Sequence, residues 1–267
     1  MCCKNRKISL FLVLIIIVCT PCYILMARGS QKLFYPLVFI IMWTPGISAL
    51  LVKLVTERNL RGFGWKPGKL SYLGLSYMLP LLGGLIVYGF VWISGIGTLT
   101  LERFGNDAFL HILKAATLGM LVSLGTAAGE EIGWRGFLLP ELLNKKSAVK
   151  TALIISAVWA VYHYPGILFS RYNSGTESWY AVLFFTLQII GLTFIMTWLR
   201  IQSGSLWPAV ILHASHNLFI QAVFDRLTID LGTSLYITGD FGAGMALFYG
   251  AAGIILWRMM RRPAARI

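Results

Sequence analysis

Eight stretches of about 20 predominantly apolar residues, separated by short polar segments, dominate the chain. They run over approximately 8–26, 34–55, 71–95, 108–129, 151–169, 179–199, 206–224 and 242–258. A helix of roughly 20 residues crosses the 30 Å hydrocarbon core of a bilayer. Closed barrels are the other architecture that satisfies the backbone in lipid, but these runs lack the alternation of barrel strands. The pattern predicts an all-α, polytopic transmembrane bundle of about eight spans, forming one domain over residues 1–267.

Composition supports residence in a membrane and argues against a nucleic-acid partner. Of the 267 residues, 57% are hydrophobic and only 12% charged, whereas soluble domains carry about 25% charged residues. The mean hydropathy is +0.74. The net charge of +13 comes from basic residues in short loops between apolar runs, where cytoplasmic retention explains them better than nucleic-acid binding does.

The loops alternate in charge along the chain, and this predicts the topology. One set is basic and contains Lys4, Arg6, Lys7, Lys53, Arg58, Arg61, Lys66, Lys69, Arg135, Lys145, Lys146, Lys150, Arg258, Arg261, Arg262 and Arg266. The other set contains Glu102, Asp107, Glu177, Asp225, Asp230 and Asp240, with Arg28 and Lys32 as exceptions. Because positively charged loops stay inside, we expect both termini in the cytoplasm of a multi-pass cell-membrane protein.

The first apolar run also resembles a signal peptide, and Cys19 admits a lipoprotein interpretation. No small-residue cleavage site follows the run, Val18 is too large for a lipoprotein signal, and removing the run would leave an odd number of helices. We therefore interpret it as an uncleaved anchor. Cys19 and Cys22 lie within it and are expected to pack as inert thiols.

Ionisable side chains at membrane depth are costly, so each is a functional hypothesis. The fourth run closes with Gly-Glu-Glu-Ile-Gly-Trp-Arg-Gly over 129–136. Glu131 and Arg135 are four residues apart on one helix face and can neutralise each other. Glu130 points about 100° away and is expected to lack a partner in its own segment.

Two further clusters contain histidines. His163 follows Trp159 by four residues in the fifth run, and the seventh run contains His213 and Asn217 at the same spacing. A lone histidine is often hydrogen-bonded core, but His213, His216 and Asn217 within one turn are hard to explain by packing. A carboxylate, two histidines and an asparagine together provide a base, a partner that positions water, and donors for an oxyanion.

These three motifs resemble those of the CPBP family of intramembrane proteases, which includes the type II CAAX prenyl endopeptidases. The family pattern E-E-x-x-x-R corresponds to residues 130–135. Its second pattern, an aromatic residue followed four positions later by a histidine, corresponds to Trp159 and His163. Its third pattern, H-x-x-x-N, corresponds to residues 213–217. In the second pattern, tryptophan replaces the commoner phenylalanine. The resemblance covers approximately 108–224, which would be the catalytic core.

The resemblance implies a role for each residue. Glu130 and His163 would activate water, His213 and Asn217 would stabilise the oxyanion, and Glu131 with Arg135 would support the site. The implied reaction is endopeptidase cleavage near the cytoplasmic face, on a peptide or protein substrate that could be prenylated or membrane-anchored.

The metal requirement is open, because the family has been described both as zinc enzymes and as metal-free, glutamate-dependent enzymes. The sequence lacks H-E-x-x-H, and a zinc ion would have to use His163, His213 and Glu130. We favour a mechanism without a cofactor, and zinc is the cofactor that the alternative would require.

The alternative is a non-enzymatic membrane protein, such as a transporter, a scaffold or a bacteriocin immunity factor, that uses the same polar residues structurally.

Overall fold

The computed structural model describes residues 2–29, 31–105, 107–170 and 172–261, and this part of the chain is predominantly helical. In chain order the elements are α1 (Cys2–Ala27), α2 (Gln31–Glu57), α3 (Leu70–Ile93), β1 (Gly97–Leu99), α4 (Ala108–Leu143), α5 (Ala148–Phe169), α6 (Ser178–Ser203), α7 (Trp207–His216, continued as a π-helix over Asn217–Phe224), β2 (Thr228–Asp230) and α8 (Ala243–Arg261). Short 3₁₀ turns occur at Glu102–Phe104 and Ser234–Tyr236. Arg262 and Arg266, counted among the basic residues, lie outside the described residues.

Within the described ranges, seven of these helices are long and apolar enough to cross a membrane: all except α7. This confirms an all-α, polytopic bundle. Helix α7 coincides with the predicted seventh span, 206–224, but it carries His213, His216 and Asn217, which lower its apolarity. These polar residues therefore keep α7 out of the set of candidate membrane spans among the described helices.

Helix α4 differs from its prediction. The sequence indicated a span ending at residue 129, with the two glutamates at its cytoplasmic end, but the helix continues to Leu143. At 1.5 Å per residue, Glu130 lies about 20 Å before that end. The continuation is stable because Ile132–Leu138 is entirely buried and forms a π-helix, a local widening that is frequent at functional sites.

The loops gather at two opposite ends of the bundle. At one end, Lys7 pairs with Glu57, Arg200 donates to the carbonyl of Gly62 at 3.0 Å, and the Trp207 indole donates to the carbonyl of Trp65 at 2.7 Å. We call this end, with the basic loop 58–69, the basic end.

At the other end β1 pairs antiparallel with β2, so that Gly97 faces Asp230. The Tyr236 hydroxyl donates to Glu177, which ties the loop before α6 to the loop before α8. This end, formed by residues 94–105, 107, 172–177 and 225–242, is called the acidic end.

Glycines bring α2 and α4 into direct backbone contact beside the glutamates. A Cβ on Gly46 would lie 2.5 Å from the carbonyl oxygen of Gly129, and a Cβ on Gly133 would lie 2.5 Å from the Cβ of Pro45. Membrane helices commonly use small residues for such close approach. The contact fixes Glu130, in the turn between Gly129 and Gly133, against α2.

Candidate active site

Glu130 is buried, and two indole groups hold its carboxylate. Its Oε2 atom accepts hydrogen bonds from Trp159 Nε1 at 2.7 Å and from Trp134 Nε1 at 3.2 Å. The sequence correctly indicated a partner on another helix, since Trp159 lies on α5. The expectation that Glu130 lacks a partner in its own segment was wrong, because Trp134 is one helical turn away. With both donors on Oε2, Oε1 is the oxygen left for a water molecule.

Trp159 contacts both this carboxylate and His163. The His163 Nδ1 atom is 2.9 Å from the carbonyl oxygen of Trp159, and the two rings are 6.2 Å apart. A carbonyl oxygen only accepts, so Nδ1 carries the hydrogen. In the neutral ring, Nε2 is then the nitrogen able to accept a hydrogen bond from water.

Glu131 connects the first motif to the third. Its Oε1 atom is 2.9 Å from Arg135 Nη1 and 2.9 Å from His213 Nδ1. The predicted ion pair on one helix face is present, and both of its side chains are fully buried. Arg135 also stacks on the Trp159 ring at 4.2 Å. The carboxylate favours a charged His213, in which both ring nitrogens carry hydrogens.

One cavity of about 150 Å³ brings the four predicted catalytic residues together. Glu130, His163, His213 and Asn217 all line it, although they come from three different helices. Glu131 and Arg135 lie behind the wall, where they contact His213 and Trp159. The volume is sufficient for several water molecules, each of which needs about 30 Å³.

The cavity extends toward the acidic end. Tyr23 and Met26 of the last turns of α1, Val38 of α2 and Tyr172 of the acidic-end loop 172–177 form its outer wall. The sequence predicted basic loops in the cytoplasm together with cleavage near the cytoplasmic face. The fold tests neither the side of the basic loops nor the side of cleavage, and both stay predictions.

A second polar cluster adjoins the first and was missed by sequence reasoning. Asp240 Oδ1 lies 2.8 Å from His216 Nε2. Asp240 Oδ2 accepts hydrogen bonds from Gln221 Nε2 at 2.7 Å and from the Tyr172 hydroxyl at 3.2 Å. Burial alone would raise the pKa of Asp240, but these hydrogen bonds and the charge of His216 hold it below its ordinary value. The cluster anchors the acidic-end loop inside the bundle.

The sequence offered a weak signal for this cluster. His216 was evident as an extra histidine beside His213, whereas Asp240 looked like an ordinary loop acid. Trp134 and Trp159 were likewise visible only as parts of motifs, with no indication that their indole nitrogens converge on one carboxylate.

The three residues predicted as possible zinc ligands are His163, His213 and Glu130. Across the described ranges, no group of three or more His, Cys, Asp or Glu side chains is arranged to hold a metal ion. Glu130 Oε2 is already engaged by two indoles, and His213 Nδ1 by Glu131.

A larger apolar groove of about 830 Å³ runs between α1 and α5. It extends along α1 from Leu12 to Arg28 and along α5 from Ala157 to Phe169. Tyr23 lines both this groove and the cavity of Glu130. Cys19 and Cys22 are buried free thiols, as expected for packing residues.

Fold and site together define a polytopic helical membrane protein in which buried Glu130 and His213 and half-buried His163 and Asn217 line one cavity. Residues 112–219 match the family model for type II CAAX prenyl endopeptidase Rce1-like proteins. The chain is also 31% identical over 142 residues to CAAX prenyl protease 2 of Methanococcus maripaludis, an alignment that covers 52% of this chain and 49% of that protein. The chain thus aligns with about half the length of this curated relative. The resemblance predicted from the three motifs is confirmed over this segment, which contains all three.

Proposed function

We propose that the chain is an intramembrane endopeptidase in which Glu130 and His163 activate water and His213 and Asn217 stabilise the oxyanion. The observation that carries this proposal is the convergence of these four side chains on one cavity at membrane depth. Burying such groups without a function is expensive, which is why intramembrane ionisable residues mark functional sites.

The reaction begins with a water molecule between Glu130 Oε1 and His163 Nε2. Glu130 takes a proton as the water oxygen bonds to the carbonyl carbon of the scissile peptide. The same proton then passes to the peptide nitrogen, the C–N bond breaks, and a carboxyl and an amine product form. The indole donors on Oε2 keep the carboxylate in one orientation throughout.

The negative charge that develops on the peptide oxygen requires hydrogen-bond donors that are already in position before the reaction. His213 suits this role because the Glu131 carboxylate accepts a hydrogen bond from its Nδ1 atom, which favours the charged ring, and the charged ring can donate from Nε2. The Asn217 amide lies one helical turn further along and lines the same cavity. Removing a single oxyanion donor typically costs about 10²–10³ in kcat.

We propose that this reaction proceeds without a metal cofactor. The donor set supports this, because the three candidate zinc ligands do not form a metal-binding group among the described residues. Activity is expected to survive prolonged dialysis against a chelator. Stoichiometric zinc in the purified protein, with loss of activity on chelation and recovery on adding zinc, would contradict the proposal.

We propose that the substrate is a peptide anchored in the membrane by a lipid chain. The groove between α1 and α5 is apolar and shares Tyr23 with the catalytic cavity, so a chain lying in the groove would place an attached peptide near Glu130. The curated relative is named as a CAAX prenyl protease, which makes a farnesylated peptide ending in a C-A-A-X sequence the first probe to use.

The experiment measures cleavage of this probe by purified protein in detergent. Glu130→Gln and His163→Ala are each expected to lower kcat by about 10²–10⁴, the usual contribution of general acid–base groups. Glu141→Gln is the matched control, because Glu141 is buried on the same helix but does not line the cavity. Full activity in either site variant, with folding unchanged, would contradict the proposed mechanism, whereas no cleavage by the parent protein would favour the non-enzymatic alternative.

A further inference from the structure

A second chamber, of about 30 Å³, adjoins the catalytic cavity. His163, His213 and Asn217 line both spaces. The remaining polar wall of the chamber comes from Gln188 of α6 and from the Asp240 cluster described above. A water molecule needs roughly 10–15 Å³ of such space. The chamber therefore has room for one or two water molecules and is too small for a peptide side chain.

Gln188 brings to this chamber a buried amide that is only partly hydrogen-bonded. The side chain is 1% exposed, and its Nε2 atom lies 3.5 Å from His216 Nε2. Its Oε1 atom is buried and has no hydrogen-bond partner among the described residues. Exchanging the amide oxygen and nitrogen would only leave an unpaired nitrogen in the same place. Because an unpaired buried amide is costly, Gln188 requires a partner that the described side chains do not supply.

The imidazole beside Gln188 is already held on both sides. His216 Nε2 lies 2.8 Å from Asp240 Oδ1, and His216 Nδ1 lies 2.9 Å from the Tyr249 hydroxyl. His216 therefore has no free nitrogen to turn toward the Gln188 oxygen. A water molecule in the chamber is the partner that remains for this oxygen.

Asn217, the proposed oxyanion donor, lies on the wall that the two spaces share, and its amide has no hydrogen bond to another described residue. An oxyanion only accepts hydrogen bonds, so an Asn217 N–H group must face the catalytic cavity and Oδ1 must face away from it. One water molecule in the chamber can donate to Asn217 Oδ1 and to Gln188 Oε1 at once. Gln221, which donates to Asp240 and also lines the chamber, can supply from its second amide hydrogen the third bond that buried waters usually make.

We propose that Gln188 is a positioning residue: it binds one water molecule in the chamber, and this water donates to Asn217 Oδ1 and turns the Asn217 amide toward the oxyanion. The inference rests on the proposed function for the role of Asn217. The water site itself rests on the chamber and on the unpaired Gln188 amide, and it does not depend on catalysis.

Cleavage of the farnesylated peptide by the purified protein measures the coupling between the two residues. Asn217→Ala is expected to lower kcat by about 10²–10³, the usual effect of removing one oxyanion donor. Gln188→Met keeps the length of the side chain and removes the amide. It is expected to lower kcat by at least about tenfold with KM little changed, because the oxyanion forms only in the transition state. The double variant is expected to be no slower than Asn217→Ala, since Gln188 acts through Asn217.

Thr197→Val is the matched control. Thr197 lies on the same helix, is 0% exposed and also has a polar atom without a partner among the described residues, but it lines neither space. Its replacement is expected to leave kcat unchanged. A loss in Gln188→Met that came from general disturbance of α6 would instead multiply with the loss in Asn217→Ala.

A kcat in Gln188→Met equal to that of the parent protein, or losses that multiply in the double variant, would overturn the proposal. Structure determination at a resolution that shows ordered water gives a second readout. We expect a water molecule within hydrogen-bonding distance of Gln188 and Asn217 in the parent protein and not in Gln188→Met, and a parent chamber without this water would also overturn the proposal. A parent protein that does not cleave the peptide would contradict the proposed function, whereas the structural readout would still decide the water site.

Discussion

Replacing Glu131 with glutamine tests the buried charge network most directly. The Glu131 Oε1 atom serves both Arg135 and His213 at 2.9 Å, and the Glu131 and Arg135 side chains are 0% exposed. Glutamine keeps the shape but removes the charge, which leaves the guanidinium buried without compensation. Breaking a buried pair in this way costs about 3–5 kcal/mol.

This magnitude is large compared with the stability that a folded protein has in total. Domains unfold with about 5–15 kcal/mol, so Glu131→Gln is expected to lower the unfolding midpoint strongly. The assay is denaturant unfolding of the purified protein in detergent, followed by tryptophan fluorescence. Thr193→Val is the control, because it removes only a 3.4 Å contact to Arg135 Nη2 and is expected to cost about 1 kcal/mol.

A double replacement separates stability from catalysis. Glu131→Leu with Arg135→Met removes both charges, and apolar replacement of a buried pair is often neutral or stabilising. We expect stability to return toward that of the parent protein while cleavage stays low, because His213 has lost its carboxylate. A Glu131→Gln variant that unfolds with the same free energy as Thr193→Val would refute the reasoning.

Three further predictions follow from individual contacts. Trp159→Phe removes the indole hydrogen bond to the Glu130 carboxylate, worth about 1.5–3 kcal/mol, and is expected to lower kcat/KM by about 10–150-fold in the peptide assay without unfolding the protein. Gly133→Ala is expected to destabilise the bundle in thermal unfolding because its Cβ would meet Pro45 at 2.5 Å, whereas Gly125→Ala, with nothing within 4 Å, should be neutral or stabilising by about 0.5–1 kcal/mol. Burial raises the pKa of Asp225 from 3.8 to about 7, so the protonated carboxyl stabilises the fold at low pH and this stability is lost as pH rises through 7. Asp225→Asn should flatten this dependence, and an unchanged pH profile of thermal unfolding would contradict the assignment.

Much of the candidate site could be predicted from the sequence, because polar and ionisable residues are costly at membrane depth and are recognised by residue type alone. Glu130, His163, His213 and Asn217 are conspicuous in apolar runs, and their helical spacing fixes which of them share a face. The pairing of Glu131 with Arg135 followed from the same spacing, as the 2.9 Å contact shows.

The partners that come from distant parts of the chain were beyond this reasoning. Periodicity does not indicate which nitrogen meets which oxygen across helices, so the Trp159 indole on Glu130 was not anticipated. The Trp134 indole was overlooked although it lies one helical turn from Glu130. The Asp240 cluster was missed for the same reason, because its four members span loop and helix segments far apart in sequence.

The sequence by itself determined the membrane residence, the helical architecture and the identity of the polar residues, because hydrophobic run length and residue type are local properties. Only the tertiary structure decided which partners meet the Glu130 carboxylate. Helix α4 continues past the glutamates to Leu143, and its fully buried turn around Trp134 and Phe137 packs inside the bundle. Where a buried carboxylate meets water depends on which side chains fill the space around it, and this is a property of packing between helices.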